Sequence, residues 1–261
     1  MQQSDALIDQ ESTPETGLQV NAYGSIVTAE HRRIREEYER REREIDSDLY
    51  APWQPAVIHI RNERVRMAAT MLHRAGVFPT EGNQCLEIGF GKLGWIGELI
   101  CWGVRDKDLH GIELNPDRVR HARGILSAAD LRVGDAARLP WASEHFHLAV
   151  ASTLFTSILD SRVRKLIADE ITRVLAPGGA LLWYDFSVNN PKNPHVKKVG
   201  RRELRQLFPE LEGTVHSLTL APPVARWLAG KNWTLASLAS AIPLFRTHLL
   251  AVLVKPHRMT H

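Results

Sequence analysis

The chain is short of cysteine, of long apolar runs and of excess charge, and each shortage removes a class of function. Two cysteines, Cys85 and Cys101, stand among 261 residues. They make no disulfide framework of the kind that staples small secreted domains, and no metal site is expected. Both fall in apolar segments, so two reduced, buried thiols in a cytoplasmic protein are expected. No apolar run approaches the roughly 18 residues that a membrane span needs. The nearest stretch, Trp233 to Val254, is broken by Pro243, Arg246 and His248. The polar segment Met1 to Val20 lacks the apolar core of a signal peptide. Peripheral contact with a membrane stays open. The net charge is +3 and the isoelectric point near 9.0, a small excess spread over 33 basic and 30 acidic residues. Such a balance argues for no nucleic-acid partner.

What is present is an ordinary globular balance, 44% hydrophobic and 24% charged. The length suits one large domain with additions. Residues 1–22 read as a disordered polar tail, and residues 23–80 as a helical cap. In the cap, Arg32/Glu36, Arg33/Glu37, Glu36/Arg40 and Arg40/Glu44 are i,i+4 pairs that predict a solvated helix over 31–48. A nucleic-acid arm is the sharper reading of these arginines, but the interleaved glutamates cancel the field. Tyr50 to Pro55 breaks that helix. A second helix is predicted over 58–75, with Ile58, Val65, Ala69 and Leu72 on one face.

Strands and helices alternate from residue 81. Strands are predicted over 85–88, 109–113, 130–133, 147–152 and 180–184, and helices over 95–102, 116–128 and 162–174. Asn115 is placed as an N-cap, with Pro116 in the first turn. This alternation specifies an α/β, doubly wound, Rossmann-like, mostly parallel sheet. Beyond Asp185 the pattern changes. Residues 213–220 and 248–254 read as strands around a helical stretch over 224–241, and residues 186–247 as an acceptor-side elaboration.

The most informative stretch is Cys85-Leu86-Glu87-Ile88-Gly89-Phe90-Gly91-Lys92-Leu93-Gly94. A buried strand runs into a glycine-rich turn ahead of a helix, where backbone can approach a ligand closely and helix N–H groups face it. Gly89, Gly91 and Gly94 fit the dinucleotide spacing G-x-G-x-x-G. Glu113 ends the second strand about 20 residues on, where an acid binds ribose hydroxyls. An NAD(P)-dependent oxidoreductase is therefore one reading. Three features point elsewhere: Glu87 at the end of the first strand, Gly134-Asp135-Ala136 after the third, and Val174-Leu175-Ala176-Pro177-Gly178-Gly179 before the fifth.

That set resembles the class I S-adenosylmethionine-dependent methyltransferases over roughly residues 81–186. The acid-x-Gly-x-Gly motif matches Glu87 to Gly91. The ribose acid matches Glu113, the adenine-side acid matches Asp135, the fourth strand and turn match His147 to Phe155, and the L-x-P-G-G element matches Leu175 to Gly179. The resemblance implies S-adenosylmethionine as cofactor, held by Glu87, Gly89, Phe90, Gly91, Glu113, Leu114, Asp135, Ala136 and Ser152. It also implies an antiparallel last strand beside the fifth. Many members carry glycine where this chain has Leu93. The fourth motif, Ser152-Thr153-Leu154-Phe155, does not match the signature of amino-group methylation on bases.

For catalysis, Asp185 is the expected base or acceptor-orienting group, with Asn189 and Asn190 as hydrogen-bonding partners and His195 as a second base. The plainer reading has Asp185 capping the loop and the asparagines making turns. The basic run Lys192, Lys197, Lys198, Arg201, Arg202 and Arg205 is read as a solvated helix face, or as an anion-binding one. Tyr38, Tyr50 and Trp53 either close over the acceptor or staple the cap to the sheet. Lys92 either meets the cofactor carboxylate or faces solvent. Trp227 and Trp233 are expected to pack the late helices. The expected function is O-methylation of a small-molecule acceptor, with a glycan or natural-product flavour. A non-catalytic cofactor-binding scaffold is the other alternative, and the sequence does not state the oligomeric state.

Overall fold

The computed structural model of the chain describes residues 14–44, 46–190 and 193–257. In chain order the elements are α1 (Pro14–Glu44), α2 (Pro55–Arg74), β1 (Cys85–Ile88), α3 (Ile96–Cys101), β2 (Leu109–Glu113), α4 (Pro116–Ile125), β3 (Asp130–Val133) and β4 (Phe146–Ser152). They continue with α5 (Ser161–Val174), β5 (Leu175–Phe186), α6 (Arg201–Leu207), β6 (Glu212–Leu220), α7 (Pro222–Ala229), α8 (Trp233–Ala241) and β7 (Arg246–Val254). The strands form one seven-stranded sheet in the order β3-β2-β1-β4-β5-β7-β6. β1 to β5 pair in parallel, and β7 runs antiparallel to both β5 and β6. The switch in strand order between β1 and β4 opens a crevice at the carboxyl ends of the strands, where ligands of open α/β sheets bind.

Every residue of β1 and β2 is buried. Central parallel strands are covered on both faces, and here they bury the polar Glu87, His110 and Glu113 among apolar residues. On one face, Ile34 of α1, Val163, Ile167 and Ile171 of α5 and Leu204 of α6 share a core with Leu86, Ile88 and Ala149. On the other, Met71 and Leu72 of α2, Leu99 of α3 and Val119 of α4 share one with Cys85, Leu109 and Leu148. α1 and α2 therefore sit on opposite faces and do not form a single cap.

β5 begins earlier than the Pro177-Gly178-Gly179 turn suggests. Phe146 pairs with Leu175 and Leu148 with Ala180, so the residues between are looped out inside a continuous strand. Gly178 has φ +78°, and a Cβ on Gly179 would lie 2.7 Å from the Phe146 carbonyl oxygen, so both positions need glycine.

Several expectations shift. α1 begins at Pro14, inside the predicted tail; residues 1–13 lie outside the described residues, as do Pro191 and Lys192. Of the four i,i+4 pairs, Arg40–Glu44 forms, while Arg33 and Arg40 also turn back one step to Glu30 and Glu37. α2 buries Ala56, His59, Ala68, Met71 and Leu72 and leaves Ile58 37% exposed, because α7 packs across its first turns. The helix predicted over 224–241 is two helices. Asn232 breaks it, accepting a hydrogen bond from the Leu235 N–H at 2.9 Å as the N-cap of α8. Cys101 is exposed, not buried. Trp227 is 64% exposed and does not pack the late helices inward, whereas Trp233, 44% exposed, packs α8 onto α2 by meeting the His59 ring edge-on at 5.0 Å.

Candidate functional site

β1 delivers the chain into a turn whose conformation is costly for most residues. Gly89 has φ +70°, Gly91 φ +57° and Leu93 φ +59°. Leu93 thus adopts the left-handed backbone that glycine would take more cheaply. The turn is fixed from two sides. The Gly89 N–H donates to the Ile112 carbonyl at 2.8 Å, and the Gly91 N–H donates to Glu113 Oε2 at 2.9 Å. The other Glu113 oxygen accepts from the Asn115 N–H at 3.0 Å, so one carboxylate ties the glycine turn to the start of α4.

Glu87 works beneath the turn. Its carboxylate accepts from the Trp95 N–H at 2.9 Å and the Ile96 N–H at 2.8 Å, satisfying the first free donors of α3. Burial pushes its carboxyl up to about 7, against the pull of those donors and of Arg64. A Cβ on Gly94 would lie 2.7 Å from Glu87 Oε1, which explains the third glycine of the spacing.

Above the turn lies a cavity of about 290 Å³. Each cofactor residue expected from the sequence lines it: Glu87, Gly89, Phe90, Gly91, Glu113, Leu114, Asp135, Ala136 and Ser152. Asp135 accepts from the Ala137 N–H at 2.7 Å and pairs with His31 Nε2 at 3.0 Å. Ser152 and Thr153 form the wall at the end of β4, and Thr153 holds φ +52°, a costly conformation for a β-branched residue.

His31, Ile34, Arg64 and Arg118 escape the sequence reading, whereas Tyr38 stands on the cover as one of its two readings has it. His31, Ile34 and Tyr38 of α1 line the cavity, so α1 is its cover and not a solvated arm. Their i, i+3, i+7 spacing puts them on one helix face, a signal the charge pattern masked. α1 is strapped down along its length: Glu30 accepts from the Leu159 N–H, Arg33 donates to the Ser157 carbonyl, and Glu42 pairs with Arg118 at 2.9 Å. Arg64 of α2 and Arg118 of α4 also line the cavity. Each has a buried Nε–H that meets no acceptor among the described residues. Arg64 lies over the rings of Trp95 and Tyr184 at 4.8 and 5.3 Å, and Arg118 over Tyr38 at 4.7 Å. Buried donors of that kind are normally satisfied, so the cavity is built for a polar occupant.

The expected catalytic group is placed elsewhere. Asp185, fully buried, accepts from the Thr156 N–H at 3.1 Å, from the Thr156 hydroxyl and from the Phe186 N–H at 3.0 Å. Burial pushes its carboxyl up to about 6. Its lone pairs are spent fixing the segment after β4, and it does not line the cavity. Asn190 and His195 do not line it either. The Asn189 side chain accepts from the Lys198 N–H at 2.9 Å, closing the loop, and His195 stands 3.6 Å from Glu37. Lys92 lines a neighbouring cleft of about 580 Å³ with Tyr50, Trp53 and Asp48, and that cleft shares Tyr38 and Arg118 with the cavity.

Residues 85–179, from β1 into the start of β5, match a sequence family described as a methyltransferase domain. Solved structures agree on the fold. A putative sarcosine dimethylglycine methyltransferase from Galdieria sulphuraria superposes with a TM-score of 0.57 at 13% identity, covering 74% of this chain and 85% of its own. A geranyl diphosphate C-methyltransferase from Streptomyces coelicolor, solved with S-adenosyl-L-homocysteine, gives 0.56 at 13% identity over 81% and 88%. A methyltransferase from Methanosarcina mazei gives 0.51 at 18% identity over 72% and 97%. No curated protein matches the chain. S-adenosylmethionine, the cofactor of such domains, fits the residues that line this cavity. The lining offers it the Glu113 carboxylate and two arginine Nε–H groups that meet no acceptor among the described residues.

Proposed function

We propose that this protein is an S-adenosylmethionine-dependent methyltransferase acting on an oxygen of a small-molecule acceptor, sugar-containing by preference. One observation carries the cofactor half: Glu113, joined to the Gly91 N–H, shares a single cavity with two arginines whose buried Nε–H groups meet no acceptor among the described residues. In this reading Glu113 receives the ribose hydroxyls, Asp135 and Ala136 flank the adenine, and Arg64 receives the methionine carboxylate. Gly89 and Gly91 allow the backbone to approach, and Leu114 and Ile112 supply the apolar wall. Glu87 acts from below, holding the start of α3.

When bound, the cofactor supplies a methyl group already electrophilic on its sulfonium. What remains for the chain is alignment and exclusion of water, and alignment alone supplies much of a rate enhancement. α1 supplies the cover. Its ties to Leu159, Ser157, Asp135 and Arg118 must open for cofactor exchange, as lids do.

The adjoining cleft supports the acceptor half. Trp53 and Tyr50 are 66% and 56% exposed along its wall, beside Asp48 and Lys92. Exposed aromatic faces pack the apolar face of a sugar ring, while carboxylates accept from its hydroxyls. The experiment is transfer of a labelled methyl group from the cofactor to a panel of glycosides, phenols, amines and thiols. Label on a hydroxyl, lost in Trp53→Ala, supports the reading. Label confined to amines or thiols removes the oxygen assignment.

A further inference from the structure

The late helices are inside out. α7 and α8 turn alanines inward: Ala225, Ala229 and Ala236 are buried against Ala56 and Leu220. Val224 and Leu228 pack beside these alanines, and Trp233 meets His59 edge-on, but a second set of large apolar side chains faces outward. Trp227, Leu235 and Leu238 are 50–64% exposed, Trp233 and Ile242 are 44% and 46% exposed, and Leu244 at the turn into β7 is 87% exposed. Patches of this kind on a folded chain mark an interaction surface.

We propose that this outer face of α7, α8 and the turn into β7 seats the protein on a bilayer carrying anionic headgroups. Charge complementarity selects the occupant. From Gly213 to the end of the chain there is no Asp or Glu, and from Asn232 to Phe245 no charged residue at all. Exposed Arg226 and Lys231 border the apolar face, and the Lys231 ammonium lies 5.3 Å from the Trp227 ring centre. Glu63 on the adjoining helix α2 is half-buried, and burial raises its carboxyl, favouring the neutral form. An apolar surface edged by tryptophans, with cations and no nearby exposed carboxylate, is the arrangement that settles at the headgroup boundary: chains reach the acyl region, indole rings lie at the interface, and cations meet phosphates. Leu244, beside Pro243, protrudes furthest and is the wedge. The inference is independent of the methyl-transfer reading, because none of these residues lines the cofactor cavity.

The test is cosedimentation of the full chain with vesicles of phosphatidylcholine alone and of phosphatidylcholine with phosphatidylglycerol, read also by tryptophan emission. The expected result is binding to the mixed vesicles with a blue shift, roughly tenfold weaker on neutral vesicles and weakened by salt. Leu244→Asp and the double variant Trp227→Ser with Trp233→Ser are expected to lose that binding while keeping wild-type affinity for S-adenosylhomocysteine, which reports an intact fold. Equal binding of wild type and Leu244→Asp would overturn the proposal, as would no binding to either vesicle. So would a stable dimer in solution that Leu244→Asp dissociates, which would assign the face to a second copy of the chain.

Discussion

Glu113 and Asp185 stand at equivalent places, the carboxyl ends of β2 and β5, and both are buried acids bonded to backbone N–H groups. Glu113 borders an opening and bridges two segments around it. Asp185 is sealed: the Thr156 hydroxyl and two N–H groups take up its oxygens, and Phe186 and His248 close the ladder beyond it. An acid at the end of a parallel strand is therefore not by itself a site. It becomes one where the following backbone leaves space, as the glycine turn does beside Glu113. The segment after β4 does the reverse beside Asp185.

The sharpest way to break this comparison is to remove each acid. Asp185→Ala strands three donors in a dry interior and is expected to destabilise the fold by about 3 kcal/mol or more, read by chemical denaturation. Glu113→Ala is expected to leave stability less affected but to raise the dissociation constant of S-adenosylhomocysteine by roughly 30–100-fold, about 2–3 kcal/mol for charge-assisted bonds. If Asp185→Ala folds normally and binds weakly while Glu113→Ala binds well, the roles are exchanged.

A gentler change sharpens the same contrast through pH. The Asp185 carboxyl is raised from 3.8 to about 6 in the folded chain. Between those values the folded form holds a proton that the unfolded form has lost. Its contribution is therefore fully present below pH 3.8 and falls as pH rises through about 6, by about 3 kcal/mol in all. In Asp185→Asn this component is absent, so the stability difference between variant and wild type is expected to change over pH 4–7 and to be flat above. The cofactor affinity of Asp185→Asn is expected to stay within about threefold of wild type, because the residue does not line the cavity. Arg64→Gln is expected to weaken S-adenosylhomocysteine about tenfold, and His31→Ala, which loosens the α1 cover without removing a direct ligand contact, by a few-fold.

The parallel sheet was legible because its strands are short buried runs between turn signals, and because Asn115-Pro116 and the glycine turn have mechanical reasons for their residues. The cavity wall is legible for the same cause: backbone turns and strand ends fix where Glu87, Glu113, Asp135 and Ser152 stand. What the sequence hid depends on distant packing. Arg64 and Arg118 lie in no motif, and only the packing of α2 and α4 places them over Trp95 and Tyr38. His31 and Ile34 are screened by the Arg/Glu pattern of α1. Asp185 was misjudged because nothing local announces that Thr156, a residue far away in sequence, will fill the space before it. Trp227 stands outside because the alanines of α7 and α8 take the inner positions, which aromatic residues usually fill.

The most direct measurement is calorimetric titration of wild type and Glu113→Ala with S-adenosylhomocysteine and, separately, NADH. The account predicts micromolar binding of S-adenosylhomocysteine to wild type, its loss in Glu113→Ala, and no heat from NADH. Binding of NADH alone would contradict it and turn Glu113 into the ribose ligand of a nicotinamide cofactor.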